Sequence, residues 1–380
     1  MNILFTRFGG AEVQTLSLMK GLRERGHEVG FFGSCHVLLE RTQELGIKNQ
    51  ELRIGEPPVT KWGAISFLWR QRRMKRFLTS YFLLPTSRPN AICMLSLTEK
   101  LLLTEWAVAH GIRVFWIEHD RIGRWLRWNP WLSRLRRMSK LATTVVVSDL
   151  SKRIYVKLGW DPEQIVVIPN GVDVEKLRPR VMVRCEAEPR TMTHCRPSWL
   201  AAFAPQGDKF YIGTIARLSP EKGIDLLIEA IKDLPNIHLT IVGTGRDEGK
   251  IQNLIRCLHP EQRITIQRTT NDVAAFYRSL DLFVLPSRDH DPCPLAPIEA
   301  MACGVATIMT DACGTAEYVE NGREAIIVPA GSSGALREAI VQLQSDANLR
   351  RRLAEHGPRV VAERFSMERM VDEYEKLLRM

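Results

Sequence analysis

The 380-residue chain is predicted to fold as an α/β protein of two doubly wound parallel sheets. Short apolar runs of strand length alternate with helical periodicity in the first half, and the alternation restarts in the second. Between the halves, from about Lys176 to Gly207, the periodicity disappears and four prolines and two cysteines fall among mixed charges. That is long for a simple connection and marks a linker or insertion. The expected organisation is a first domain over 1–175, a linker over 176–207, a second domain over 208–360 and a terminal helix over 361–380.

Taken in order, Ile3-Leu4-Phe5 reads as a strand and Gly9-Gly10-Ala11-Glu12 as a tight turn into a helix running to about Arg25. Val13, Leu16, Met19 and Leu22 give that helix its apolar face, and Gly26 closes it. With the strand Val29-Gly30-Phe31-Phe32 this makes a βαβ opening. Glycines at such a turn let backbone N–H groups approach a phosphate, although a plain tight turn uses them too. Ala91 to Leu95 and Val114 to Ile117 are strands around a helix from Lys100 to His110, the second strand ending in Glu118-His119-Asp120. Polar residues at the carboxyl end of a parallel strand are candidates for ligand contact. Thr143 to Val147, a helix to about Leu158, and Ile165 to Ile168 lead into Pro169-Asn170-Gly171-Val172-Asp173, which carries a turn signal.

The second half opens with the strand Tyr211 to Ile215, then Ala216-Arg217-Leu218-Ser219-Pro220-Glu221-Lys222-Gly223 and a helix to Ile231. That loop can set two cations beside one diphosphate, Arg217 as a fork and Lys222 as a point charge. His238 to Val242 is a strand ending in Gly243-Thr244-Gly245, which offers close backbone approach but is not a dinucleotide fingerprint. Helices from Arg246 to Leu258 and from Asp272 to Ser279 flank the strand Ile264 to Ile266.

The most informative stretch follows. Leu282 to Leu285 is a short buried strand, and a loop with three prolines carries Asp291. A helix bearing Glu299 then stops at Gly304, before a second apolar run from Val305 to Met309. Open α/β sheets bind ligands at the edge this loop faces. Asp291-Pro292 also fits a plain helix cap with proline at the first helical position. Later elements are a strand over 325–328, helices from Gly334 and near Leu349, and a last helix from about Met367.

Composition narrows the class. No run of 18 uncharged apolar residues is present, so no membrane-spanning helix is indicated, and the first residues read as a strand, not a secretory signal. Cys293, Cys303 and Cys313 recur every ten residues, which is neither a zinc spacing nor a disulfide framework; buried cytosolic thiols are expected. The net charge of +10 calls for an anionic partner. From Arg121 to Lys140 there are six arginines, one lysine and no acid, with Trp125, Trp128 and Trp131 three apart. Lys61 to Phe77 repeats the mixture around Trp62 and Trp69. Tryptophan with arginine on amphipathic helices predicts docking on an anionic membrane surface, the alternative being a solvated basic face with its rings turned inward. No nucleic-acid-binding module is present, so nucleic acid is not an expected partner.

The ordered set Gly9-Gly10-Ala11-Glu12, Ile168-Pro169-Asn170-Gly171-Val172-Asp173, Arg217-Leu218 with Lys222-Gly223, Val284-Leu285-Pro286-Ser287 and Asp291-x7-Glu299 resembles the retaining GT-B glycosyltransferases of family 4 over nearly the whole chain. The resemblance implies two Rossmann-like domains facing a cleft, an acceptor-binding first domain, a nucleotide-sugar-binding second domain, and a last helix crossing back to the first near Arg364-Phe365-Ser366. It implies transfer of a sugar from a UDP-, GDP- or ADP-linked precursor to an acceptor with retention. The basic-aromatic stretches add the expectation of a glycan or lipid-linked acceptor in envelope glycan synthesis, met on the inner face of the cytoplasmic membrane. Arg217 and Lys222 would hold the diphosphate with Gly9 and Gly10 closing over it, and Asp291 and His119 would contact the sugar. Glu299 would accept from the ribose, while Gly243, Arg268, Leu295 and Ala296 complete the precursor site and 267–272 lines the base pocket.

The barrier lies in charge developing on the departing diphosphate, which fixed cations and helix amino termini stabilise without a metal. Metal independence is therefore expected, and no other cofactor is expected. The chain departs from the family pattern at Asp291, usually glutamate, and at Cys293-Pro294, usually Phe-Gly. The acid is shorter by a methylene, and proline withdraws an N–H. Two other readings share parts of this sequence: a nucleotide-sugar epimerase of the same architecture, and a non-catalytic basic scaffold.

Overall fold

The computed structural model describes residues 1–7, 12–51, 67, 69–72, 88–119, 130–178, 209–258 and 263–380. The chain divides into two compact units, Met1–Asn170 with Met367–Met380, and Gly171–Ser366.

Unit 1 contains β1 (Asn2–Arg7), α1 (Glu12–Glu24), β2 (Glu28–Gly33), α2 (His36–Glu44), β3 (Lys48–Glu51), β4 (Ala91–Met94) and α3 (Leu97–Ala109). It continues through β5 (Arg113–Glu118), α4 (Leu132–Ser139), β6 (Thr143–Val146), α5 (Asp149–Lys157) and β7 (Ile165–Val167). The strands form one sheet in the order β3-β2-β1-β4-β5-β6-β7, with every pair parallel. A central parallel strand is covered on both faces and reads as a continuous apolar run. Ala-Ile-Cys-Met of β4 fits that rule, all four residues being buried.

Unit 2 comprises α6 (Val174–Leu177), β8 (Phe210–Ile215), α7 (Ile224–Ala230), β9 (Ile237–Val242), α8 (Glu248–Leu258), β10 (Ile264–Gln267) and α9 (Val273–Arg278). It ends with β11 (Leu282–Leu285), α10 (Leu295–Ala302), β12 (Thr307–Thr310), β13 (Ile326–Val328), α11 (Ser333–Ser345) and α12 (Ala347–Arg364). Its six parallel strands run β10-β9-β8-β11-β12-β13. The first and last residues of this unit lie together: Val172 N donates to Phe365 O at 2.8 Å, and Phe365 is buried against Tyr318. Arg278 binds the carbonyls of Lys176, Leu177 and Arg178 at 3.4, 3.4 and 3.1 Å, which ties α6 into unit 2. The divide therefore falls after Asn170 and again after Ser366, where the expected boundaries were 175 and 360.

The last helix, α13 (Met367–Arg379), completes the core of unit 1. Met370, Val371, Tyr374 and Leu378 join Leu18 and Leu22 of α1 and Ile3 and Phe5 of β1, each burial contributing roughly 1.5–3 kcal/mol. Close contact depends on Gly21, where an added Cβ would stand 2.6 Å from a Val371 methyl. At the rim, Arg25 reaches Asp372 at 2.5 Å and Glu375 at 3.2 Å, and His27 Nε2 lies 2.9 Å from Glu375.

Candidate active site

In each sheet the chain order reverses beside the first strand, between β1 and β4 in unit 1 and between β8 and β11 in unit 2. Loops leaving the carboxyl ends of such a strand pair diverge and leave a crevice for ligand. In unit 2 the two loops are 216–223, with Arg217 and Lys222, and 286–294, with Asp291.

Proline opens a single 3₁₀ turn at Pro220–Lys222, and Gly223 closes it at φ 64°. No side chain fits at Gly223, because a Cβ would meet Pro286 O at 2.2 Å. Arg288 N donates to Glu221 O at 2.8 Å, and the Arg288 guanidinium binds Asp225 at 2.6 Å, so the two loops lie against each other. That contact brings Lys222 Nζ to 2.5 Å from Asp291 Oδ2, while Ser287 Oγ donates to the same oxygen at 2.8 Å. The Asp291 backbone is pinned to the loop after β12, its N–H donating to Ala312 O at 2.9 Å and its carbonyl accepting from Gly314 N at 2.8 Å. Lys222 keeps 22% of its side chain exposed against 10% for Asp291, so the lysine is the accessible member of the pair. Arg217 is exposed, and its guanidinium makes no hydrogen bond or ion pair among the described residues.

The helix-cap reading of Asp291 is corrected here. α10 begins at Leu295 with Pro294 as its N-cap residue, and the Asp291 carboxylate is spent on Lys222 and Ser287. Pro294 brings no capping side chain, so the first-turn N–H groups of α10, among them those of Leu295 and Ala296, receive no side-chain cap. Such an amino terminus favours a phosphate. The glycines of Gly243-Thr244-Gly245 have a structural purpose: added Cβ atoms would stand 2.0 Å from Ala216 O and 2.2 Å from Leu218 O. Their bareness admits the loop after β8, so no nucleotide is needed to explain them.

Glu299 lies one turn inside α10, half-buried. The Tyr277 hydroxyl on α9 donates to its Oε2 at 2.9 Å, and Oε1 makes no hydrogen bond among the described residues. Burial raises the Glu299 carboxyl above its ordinary range, an effect the Tyr277 hydrogen bond partly offsets. Burial first and the Glu299 charge second push the Tyr277 phenol well up, so it stays a proton donor. Arg268, at the end of β10, is exposed and reaches Glu248 at 3.4 Å, and Asp272 is occupied in capping α9 through Ala275 N at 2.8 Å. Cys293, Cys303 and Cys313 are all buried, and burial pushes the last two thiols up to about 12, which leaves them protonated.

In unit 1, Gly9, Gly10 and Asp120 lie outside the described residues. His119 is half-buried directly beyond β5. Its neighbour Glu118 is committed to a buried ion pair, 2.8 Å from Lys100 Nζ. The basic-aromatic stretches divide. Trp62, Trp125 and Trp128 lie outside the described residues, whereas Trp69 is 79% exposed. Phe67 is buried and meets Trp131 at 5.0 Å between ring centroids, with Arg134 over both rings. The described stretch containing residues 67 and 69–72 is helical, and residues two apart on a helix point to opposite sides. Trp131, packed on buried Phe67, thus takes the alternative of an inward-turned ring, whereas Trp69 faces outward. No helix among the described residues is long and apolar enough to cross a membrane.

Tyr277 escaped the sequence reading, and Ser287 entered it only as the end of the Val284–Ser287 motif, with no role of its own. Tyr277 sits on an apolar helix, where an aromatic ring signals core, and Ser287 follows a proline as an ordinary loop residue would.

The glycosyl transferases group 1 family matches residues 196–360, and Glycosyltransferase Family 4 matches residues 8–176. The chain is similar to the lipopolysaccharide core biosynthesis glycosyltransferase LpsE of Rhizobium meliloti, 30% identical over 165 residues, 43% of this chain and 48% of that one. It is 26% identical over 368 residues to the phosphatidyl-myo-inositol mannosyltransferase of Mycobacterium leprae, covering 93% of this chain and 88% of the relative. Against LpsE and two further curated relatives the match spans about half of their length, at 48%, 47% and 46%. The structure of Anabaena HepE in complex with UDP and glucose superimposes over 100% of this chain and 99% of its own, with a TM-score of 0.79 at 19% identity. That of WaaG, a glycosyltransferase involved in lipopolysaccharide biosynthesis, superimposes over 99% of both at a TM-score of 0.69 and 17% identity. With one family matched over each half and a GT-B fold from end to end, the chain belongs to the group 1 glycosyltransferases, glycosyltransferase family 4.

Proposed function

We propose that this protein transfers a sugar from a nucleoside diphosphate sugar to a glycan or lipid-linked acceptor of the cell envelope, with retention of configuration and without a metal. The observation that carries the reading is the juxtaposition of Lys222, exposed Arg217 and the uncapped start of α10 around the β8/β11 crevice, with Glu299 one turn further in. Charge accumulates on the departing diphosphate, and preformed cations with helix N–H groups stabilise it at little reorganisation cost. Arg217 binds the phosphates by its fork, and Lys222 turns from Asp291 toward them. Asp291, released from that pair, accepts from a hydroxyl of the transferred sugar. Glu299 takes the ribose. Arg268 serves the nucleoside side.

UDP bound to HepE supports a nucleoside diphosphate precursor, and the named relatives support an envelope acceptor. A UDP-, GDP- or ADP-linked sugar fits the chemistry equally. The +10 charge and the exposed Trp69 support docking of the acceptor-binding unit on an anionic membrane surface. Flotation with anionic vesicles tests that part; absence of binding at low salt removes it.

The decisive experiment is a thermal-shift panel of uridine, guanosine and adenosine diphosphate sugars in the presence of a chelator. One family of nucleotides is expected to stabilise the protein, with the shift lost in Arg217→Ala and Glu299→Ala. A shift unchanged in both variants overturns the site, and one abolished by the chelator overturns metal independence.

A further inference from the structure

We infer that Tyr277 is a positioning residue for the ribose-binding carboxylate, holding Glu299 by one oxygen so that the other faces the sugar nucleotide. The inference deepens the proposed reading and rests on Glu299 being the ribose anchor.

Geometry carries it. Tyr277 is fully buried, its ring held edge-on by Phe276 at 5.8 Å and Phe283 at 5.4 Å between centroids. A phenol so fixed has one place for its proton, and that place is Glu299 Oε2 at 2.9 Å. Oε1 makes no hydrogen bond among the described residues, while the carboxylate stays half-buried. A carboxylate with one oxygen fixed loses its rotation about the terminal torsion, so an incoming hydroxyl pair meets an acceptor already oriented. Two ribose hydroxyls donate, a carboxylate only accepts, and Tyr277 takes up the lone pair pointing away from the ligand.

The same bond has an electrostatic effect. Burial raises the Glu299 carboxyl and hydrogen bonding from Tyr277 lowers it again. The other titratable group that bears on this phenol–carboxylate pair is the Cys303 thiol at the end of α10, itself influenced by Arg278 and Asp272. The neighbouring helix α12 meets α10 through Gly357 against Met301, and α6, which carries Glu175 and Lys176, packs against the same helix. Removing the phenol oxygen therefore pushes the Glu299 carboxyl higher still. The sign follows: binding needs the carboxylate, so affinity for the sugar nucleotide falls as pH drops, and in Tyr277→Phe that fall begins at higher pH.

Tyr277→Phe preserves the ring and its packing, and a cooperative melting transition only modestly lowered by the lost hydrogen bond checks that the fold is intact. In that variant KM for the sugar nucleotide is expected to rise about tenfold with kcat nearly unchanged, since the interaction is present in ground and transition states alike. The acid limb of affinity against pH is expected to move upward. In a Glu299→Gln background the further change Tyr277→Phe is expected to cost nothing more. If Glu299→Gln weakens binding while Tyr277→Phe leaves both KM and the pH profile in place, the inference fails and the proposed site stands. If Glu299→Gln leaves binding unchanged, the ribose assignment fails, and this inference with it. Comparison with a 2′-deoxyribose sugar nucleotide separates the two roles of Tyr277. Its penalty should shrink in Tyr277→Phe if orientation matters, and an undiminished penalty overturns that role.

Discussion

The loop carrying Asp291 and the helix carrying Glu299 follow the same strand, yet they prepare their acids in opposite ways. Asp291 gives its exposed capacity to the protein: Lys222 and Ser287 share one oxygen, and both backbone groups are tied to the next loop. Glu299 is held by a single uncharged donor and keeps one oxygen in reserve. On the proposed reading, the second acid is preorganised while the first exchanges partners: a diphosphate that drew Lys222 away would free Asp291 and couple phosphate binding to readiness for the sugar.

The largest effect should come from breaking the exchange. Lys222→Ala is expected to lower kcat/KM roughly 10²-fold to 10³-fold, the usual loss on removing one charge-stabilising group. It also leaves Asp291 buried without its cation, so the melting temperature should fall. The double variant Lys222→Ala/Asp291→Asn separates the two consequences: it should recover stability but not activity. Recovery of activity in that variant would mean that the lysine serves the aspartate alone.

Glu299→Gln is expected next, weakening sugar-nucleotide affinity about 10-fold to 100-fold in titration calorimetry with kcat largely kept. The pH behaviour sharpens the contrast. A carboxyl raised by burial holds its proton more tightly folded than unfolded. Its contribution to stability is therefore full below the ordinary glutamate range and is lost as pH rises through the raised value. Affinity runs the other way and grows as the carboxylate forms. Glu299→Gln should abolish both trends, and a pH slope retained in the variant would assign it to another group.

Ser287→Ala gives the smallest change. It removes one of two hydrogen-bonded partners of a carboxylate that keeps its lysine, costing about 1 kcal/mol of stability. Denaturant midpoints measure it, and KM should move only a few-fold.

How much of this was legible depended on distance along the chain. Strand, loop and helix at 282–302 were readable because apolar runs, prolines and a terminal glycine are local signals. The cations at 217 and 222 were readable for the same reason. The glycines at 243 and 245 carried the right signal for close approach and the wrong partner, since the backbone they admit is that of Ala216 and Leu218. The basic-aromatic stretches left two orientations open, and for Trp131 it is packing on Phe67, distant in sequence, that selects the inward one.

The order of strands and helices, the two-unit plan and the edge where site residues collect were written in local periodicity and turn chemistry, which act over a few residues. The pairing of Lys222 with Asp291 spans 69 residues and that of Tyr277 with Glu299 spans 22. Those choices wait on which loops the sheet order places side by side, because a carboxylate's partner is set by what stands within about 3 Å and not by what precedes it in the chain.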